Sequence, residues 1–130
     1  MTRSSRPASL AASLLAVWVV LLSVSPASSH AIVLESSLVA DAVLDRAPQQ
    51  VTLRFNSKLE KRFTRITLTA GDRPPVLVAL PDDGAASPPD RVVIPLAPLA
   101  PGLYVLRYRV LAVDGHITEG ALRFTVGPTR

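Results

Sequence analysis

Cysteine is absent from all 130 residues. That excludes disulfides, thiolate metal sites, a cysteine nucleophile and a lipid anchor on cysteine. Histidine occurs only at His30 and His116, so imidazole chemistry is confined to two positions. The single methionine is Met1, so the body of the chain has no thioether donor. Aromatic residues make up 5% of the chain, too few for stacking on nucleobases to be its main work. The six glycines are scattered and form no phosphate-cradling loop, and no Gly-x-Ser-x-Gly elbow is present. Twelve prolines argue against a long helix or coiled coil, because proline breaks helix interiors. What remains is a chain with 48% hydrophobic residues, too apolar to be disordered and long enough for one domain.

The formal charge of +4 is not concentrated in a nucleic-acid groove. Arg3 and Arg6 precede a long apolar segment, and without them 12 basic and 10 acidic residues are left, a net +2. The densest basic group, Lys58, Lys61, Arg62 and Arg65, reads as a solvated face. No nucleic-acid partner is expected.

Residues 1–29 read as a secretory signal peptide. Arg3 and Arg6 form the positive start, and Leu10 to Val24 is apolar apart from Ser13 and Ser23, short for a spanning helix. Ala27 and Ser29 are small residues at −3 and −1 for a cut before His30; a cut after Ala27, leaving Ser28 first, also satisfies the rule. Export predicts a periplasmic or secreted domain over residues 30–130, with no membrane span after processing. The first cut gives His30 a free α-amine beside its imidazole, and the two can chelate one metal ion.

From Ala31 onward the pattern is β. Val51, Leu53 and Phe55 alternate with Thr52 and Arg54; Tyr104, Leu106, Tyr108 and Val110 share one face, opposite Arg107 and Arg109; Leu122, Phe124 and Val126 alternate with Arg123 and Thr125. Proline- and glycine-bearing breaks separate these runs, as at Ala100-Pro101-Gly102. About seven short antiparallel strands predict an all-β Greek-key sandwich. Lys58 to Phe63 is expected to form one helical turn or a loop. Asp82-Asp83-Gly84 lacks the alternating oxygen ligands of a calcium loop and reads as a turn.

Asp114-Gly115-His116 lies between two predicted strands, Leu103 to Val113 and Glu119 to Val126. In an extended segment residues two apart face the same way, so the carboxylate and the imidazole can face one point, and Gly115 leaves the space between them open. Together with a terminal His30 this gives an amine nitrogen, two imidazole nitrogens and one carboxylate oxygen. Such a set suits tetragonal Cu(II), with Zn(II) as the rival ion.

The mature chain resembles the CopC family of periplasmic copper-binding proteins. The resemblance rests on His30-Ala31, on Val51-Thr52-Leu53-Arg54-Phe55-Asn56, and on Pro101-Gly102-Leu103-Tyr104-Val105-Leu106-Arg107-Tyr108-Arg109-Val110. It continues through Asp114-Gly115-His116 and Gly120-Ala121-Leu122-Arg123-Phe124-Thr125-Val126. It implies a cupredoxin-like or immunoglobulin-like Greek-key β-sandwich or barrel that binds Cu(II) through His30, Asp114 and His116. It further implies a non-enzymatic role in copper homeostasis, resistance or delivery to an inner-membrane CopD-like copper transporter, with the protein a monomer. Three departures stand out. The Met-rich Cu(I) loop of some members is replaced by a region, about Leu68 to Leu80, without Met or His; Ser57 stands where some members place a Glu near the metal; and Tyr108 replaces a common Trp. Two other functions fit some of the residues: a small histidine-brace copper oxygenase, and a metal-free structural or adhesive β-sandwich.

Overall fold

The computed structural model describes residues 31–82 and 87–128. The predicted signal peptide, His30 and the Asp83–Gly84 part of the acidic turn lie outside the described residues. Eight strands are present among the described residues: β1 (Val33–Ser36), β2 (Ala42–Leu44), β3 (Gln50–Phe55), β4 (Arg65–Ala70), β5 (Val76–Leu77), β6 (Arg91–Pro95), β7 (Gly102–Leu111) and β8 (Ile117–Val126). They form two sheets, one ordered β1-β3-β6 and the other β2-β8-β7-β4-β5. The all-β sandwich expected from the alternation is thus observed. Lys58 to Phe63 supplies the expected single turn, a 3-10 turn at Lys61–Phe63.

The alternation does its work by placing every second side chain in the space between the sheets. Val51, Leu53 and Phe55 from β3 meet Ile66, Leu106, Val110, Phe124 and Val126 from the other sheet, all buried. Burying each such side chain contributes about 1.5–3 kcal/mol. No polar or charged side chain is buried among the described residues. One aromatic contact ties the layers, with Phe55 meeting Tyr108 edge-on at 5.8 Å; within the five-stranded sheet Tyr104 stacks on its partner Phe124 at 5.4 Å. The Tyr104 hydroxyl donates to the Ala100 carbonyl at 2.6 Å, so its polar tip is satisfied.

The longest pairing is the antiparallel β7–β8 hairpin, in register from Gly102 opposite Val126 to Leu111 opposite Ile117. One pairing departs from the expected antiparallel pattern: β2 runs parallel to β8, with Ala42 opposite Phe124. Strands β1, β2 and β5 have only two to four residues. Period-two alternation cannot mark elements that short. β2 is held from both ends by the Asp41 N–H to Arg123 carbonyl bond at 2.8 Å and the Gly127 N–H to Leu44 carbonyl bond at 2.7 Å.

Candidate metal centre

The β7–β8 hairpin ends in a tight turn that carries Asp114 and His116. The Gly115 N–H donates to the Ala112 carbonyl, and the Ala112 N–H donates to the His116 carbonyl, both at 2.9 Å. Gly115 has φ +93°, a region that a side chain disfavours, so glycine suits the turn. Asp114 and His116 therefore come together through a turn and not through an extended segment. The Asp114 carboxylate Oδ1 accepts the His116 backbone N–H at 3.1 Å and lies 3.2 Å from the His116 ring Nδ1. Both side chains remain 40–45% exposed, open to a solvent-borne ion.

This geometry sets the charge on the carboxylate. The His116 backbone N–H is the main reason that the Asp114 carboxyl is held below its ordinary value; desolvation opposes it, and the nearby imidazole adds to the lowering. Asp114 is thus an anion throughout the neutral range, able to accept a hydrogen bond from a ring N–H or to bind a cation.

The second half of the expected site begins at the N-terminal end of the described chain. Ala31 is fully buried in the core, and Ile32 is gripped by Asn56. The Asn56 side-chain Oδ1 accepts the Ile32 N–H at 2.7 Å, while the Asn56 N–H donates to the Ile32 carbonyl at 3.0 Å. Two residues on, the Lys58 carbonyl accepts the Val113 N–H at 3.0 Å, and Leu59 bridges Ala112. The segment Asn56-Ser57-Lys58-Leu59 thereby joins Ile32, at the N-terminal end of the described residues, to the Asp114–His116 turn. The expected ligand His30 itself lies outside the described residues, while its neighbour Ala31 is anchored at this end of the sandwich. No cluster of three metal-ligating His, Asp or Glu side chains occurs among the described residues.

Asn56 closes the motif Val51–Asn56, but its hold on the Ile32 backbone is not read from that motif. Its signal was available: an Asn directly after an alternating strand offers its side chain to a backbone N–H where the ladder stops. Ser57, which stands at the place of a family Glu, is half-buried, with its hydroxyl 3.4 Å from Asn56 Oδ1.

The structure is thus a two-sheet β-sandwich carrying an Asp-x-His turn beside a clamped N-terminal segment. The family model described as the CopC domain matches residues 33–127. The chain belongs to the CopC family. It is 32% identical over 121 residues to copper resistance protein C of Xanthomonas campestris pv. juglandis, an alignment covering 86% of this chain and 94% of that protein. Among solved structures, CopC of Methylosinus trichosporium OB3b matches at 30% identity and TM-score 0.66, covering 78% of this chain and 97% of that one. PcoC, a methionine-rich copper resistance protein of Escherichia coli, matches at 31% identity and TM-score 0.58, covering 75% and 98%. No helix among the described residues is long and apolar enough to cross a membrane.

Proposed function

We propose that this chain is an exported, non-enzymatic Cu(II)-holding protein for copper homeostasis, resistance or delivery to an inner-membrane CopD-like importer. Residues 1–29 act as the signal peptide, and the domain 30–130 works in the periplasm or outside the cell. The ligands are the α-amine and imidazole of His30, the imidazole of His116 and the carboxylate of Asp114. Copper is the cargo.

The observation that carries this reading is the meeting of Asp114 and His116 at 3.2 Å on the same rim to which Asn56 fastens the chain at Ile32. Membership of a family that includes copper resistance proteins supports it. So does the donor set, since nitrogen ligands with one oxygen suit Cu(II), and the only methionine is Met1. An ion entering between Asp114 and His116 replaces their mutual contact with bonds to the metal. The deprotonated carboxylate offsets part of its charge.

The test is N-terminal sequencing of exported protein followed by copper titration of that material. Protein beginning at His30 is expected to bind one Cu(II) per chain. Protein with residues ahead of His30 is expected to bind much more weakly, because the α-amine then becomes part of a peptide bond. Equal affinity of the two forms would remove the terminal chelate from the model.

A further inference from the structure

The outer face of the five-stranded sheet carries an unusual charge. Arg65 of β4 stands directly opposite Arg109 of β7. Arg107 is two residues along β7 on the same face, and Arg123 of β8 is diagonal to it, two positions beyond its partner Ala121. Like charges placed directly opposite on a sheet repel and weaken the pairing. Among the outward positions of β4, β7 and β8, the only acidic residue is Glu119. It is engaged, with Oε1 3.0 Å from Arg109 Nε. Arg65, Arg107 and Arg123 have no carboxylate partner among the described residues.

The face is also concave. Arg65, Thr67, Arg107, Arg109, Glu119 and Ala121 line a hollow of about 510 Å³, with small side chains between the guanidinium groups. Arg65 and Arg109 also line the next hollow, of about 700 Å³, which continues past Arg62 to Ile117, one residue from His116. The basic band therefore leads along the sheet to the rim that carries Asp114 and His116.

We infer that this arginine-lined sheet face is a docking surface for an acidic segment of a partner polypeptide. Three observations choose that occupant. Guanidinium groups present forked donors that match carboxylates, and all four basic residues here are arginine. The Arg109–Glu119 pair already shows a carboxylate seated on this face. Three of the four arginines line a hollow, which protruding Asp or Glu side chains can enter and which a planar bilayer surface cannot follow. The inference concerns a protein contact, and it holds or fails independently of the copper ligands.

The experiment uses the purified chain without copper and a ten-residue synthetic peptide of alternating Glu and Ser, followed by backbone amide NMR shifts. Binding is expected to move the amides of Arg65, Arg107, Ala121 and Arg123, and to weaken as salt rises from about 20 mM to about 200 mM, because exposed charges are then screened. The double variant Arg65→Gln/Arg107→Gln is expected to lose about tenfold or more in affinity, as two charge-assisted contacts go. Arg46→Gln, exposed and off this face, is expected to bind as the parent does. Arg65→Gln removes one of two opposed charges, so folding is expected to be kept; should the double variant unfold, Arg123→Gln alone is expected to weaken binding. Parent-like binding by the folded variants overturns the inference, and so do shifts confined to other surfaces. Capture of the protein by phosphatidylglycerol vesicles without binding of the peptide also overturns it, in favour of a lipid surface.

Discussion

Tyr108 lies across the backbone of Gly120, its directly opposite partner in the β7–β8 hairpin. A Cβ built on Gly120 would overlap the Tyr108 hydroxyl and the ring carbon that bears it, and lie 2.8 Å from Cε1. The ring occupies the space that any side chain at 120 would need, and its other side meets Phe55 of the opposite sheet. Gly120→Ala is therefore expected to destabilise the fold by about 1–3 kcal/mol, the usual cost of overpacking. In a Tyr108→Leu background the same change is expected to cost much less, since the two sites are in contact and their effects couple. Denaturant unfolding of the four proteins in this cycle measures the difference; purely additive costs would show that the ring and the glycine are not in conflict.

The same placement affects the phenol. Burial pushes the Tyr108 hydroxyl above its ordinary value, since the ionised form is poorly solvated between the sheets. The folded protein thus holds this proton more tightly than the unfolded chain. The stability that goes with it is complete below the ordinary tyrosine value of about 10 and is lost as pH rises through the folded value. The single tryptophan is Trp18, so a protein of residues 30–130 has no tryptophan to obscure tyrosinate absorbance. In a Tyr104→Phe protein the remaining phenol is expected to titrate above ~10, together with loss of the fold at higher pH. A titration midpoint at or below that value would contradict the buried placement.

Much of this architecture is legible in the sequence. The faces of β3, β7 and β8 follow from period-two alternation, because long strands with one buried side repeat the same choice many times. Val51, Leu53 and Phe55 are buried as the pattern requires. Three short strands are not legible, since two to four residues carry no period, and the parallel β2–β8 pairing depends on a sheet crossing that no local pattern encodes. At the candidate site, the pairing of Asp114 with His116 is legible as residue types but not as geometry. A turn closed on Ala112, with an aspartate accepting a backbone N–H, brings them together. Asn56 stands in a quoted motif, but its contact is not legible there because it is made to a backbone 24 residues away in sequence.

Asn56 is expected to affect copper binding without touching copper. Its side chain holds the Ile32 N–H at 2.7 Å, so Asn56→Ala frees the segment that leads to His30. The loss of one exposed hydrogen bond costs about 0.5–1.5 kcal/mol of stability, leaving the domain folded. Cu(II) affinity is expected to fall while the visible spectrum of the saturated complex stays as in the parent, because the ligands are unchanged. Asn56→Asp keeps an acceptor oxygen and is expected to recover most of the affinity. A changed spectrum in Asn56→Ala would make Asn56 a ligand instead of a positioning residue.

The turn offers a separate check on the ligands. His116→Ala and Asp114→Ala are each expected to weaken Cu(II) binding with the fold intact, since both side chains are exposed on a rim. The histidine change is expected to cost more, because nitrogen donors suit Cu(II) better than a carboxylate oxygen. Ser57→Ala is expected to do little. Gly115→Ala strains the turn at φ +93° and is expected to cost about 1 kcal/mol or more of stability, with a loss of copper affinity as the two ligands separate. Isothermal titration of the folded variants ranks them; a Ser57→Ala loss larger than that of Asp114→Ala would identify a missed oxygen ligand.

The pH dependence divides the ligands by type. An α-amine ordinarily titrates near ~8 and an imidazole near ~6.5, and each must lose its proton to bind metal. Affinity is therefore expected to fall steeply from pH 7.5 to pH 5 as protons compete for the nitrogens. Asp114 behaves differently. The His116 backbone N–H holds its carboxyl below the ordinary value, so the carboxylate stays charged across that whole interval. Its contribution to turn stability is present above the unfolded-chain value and is lost only as pH falls through the lowered folded value. The ratio of affinities between the parent and Asp114→Asn is thus expected to be the same at pH 7.5 and pH 5, while both affinities drop together. Copper titrations of the two proteins at both pH values measure this. A ratio that collapses toward one at pH 5 would mean the carboxylate takes up a proton in that range, and binding as tight at pH 5 as at pH 7.5 would remove the amine and imidazoles as principal ligands.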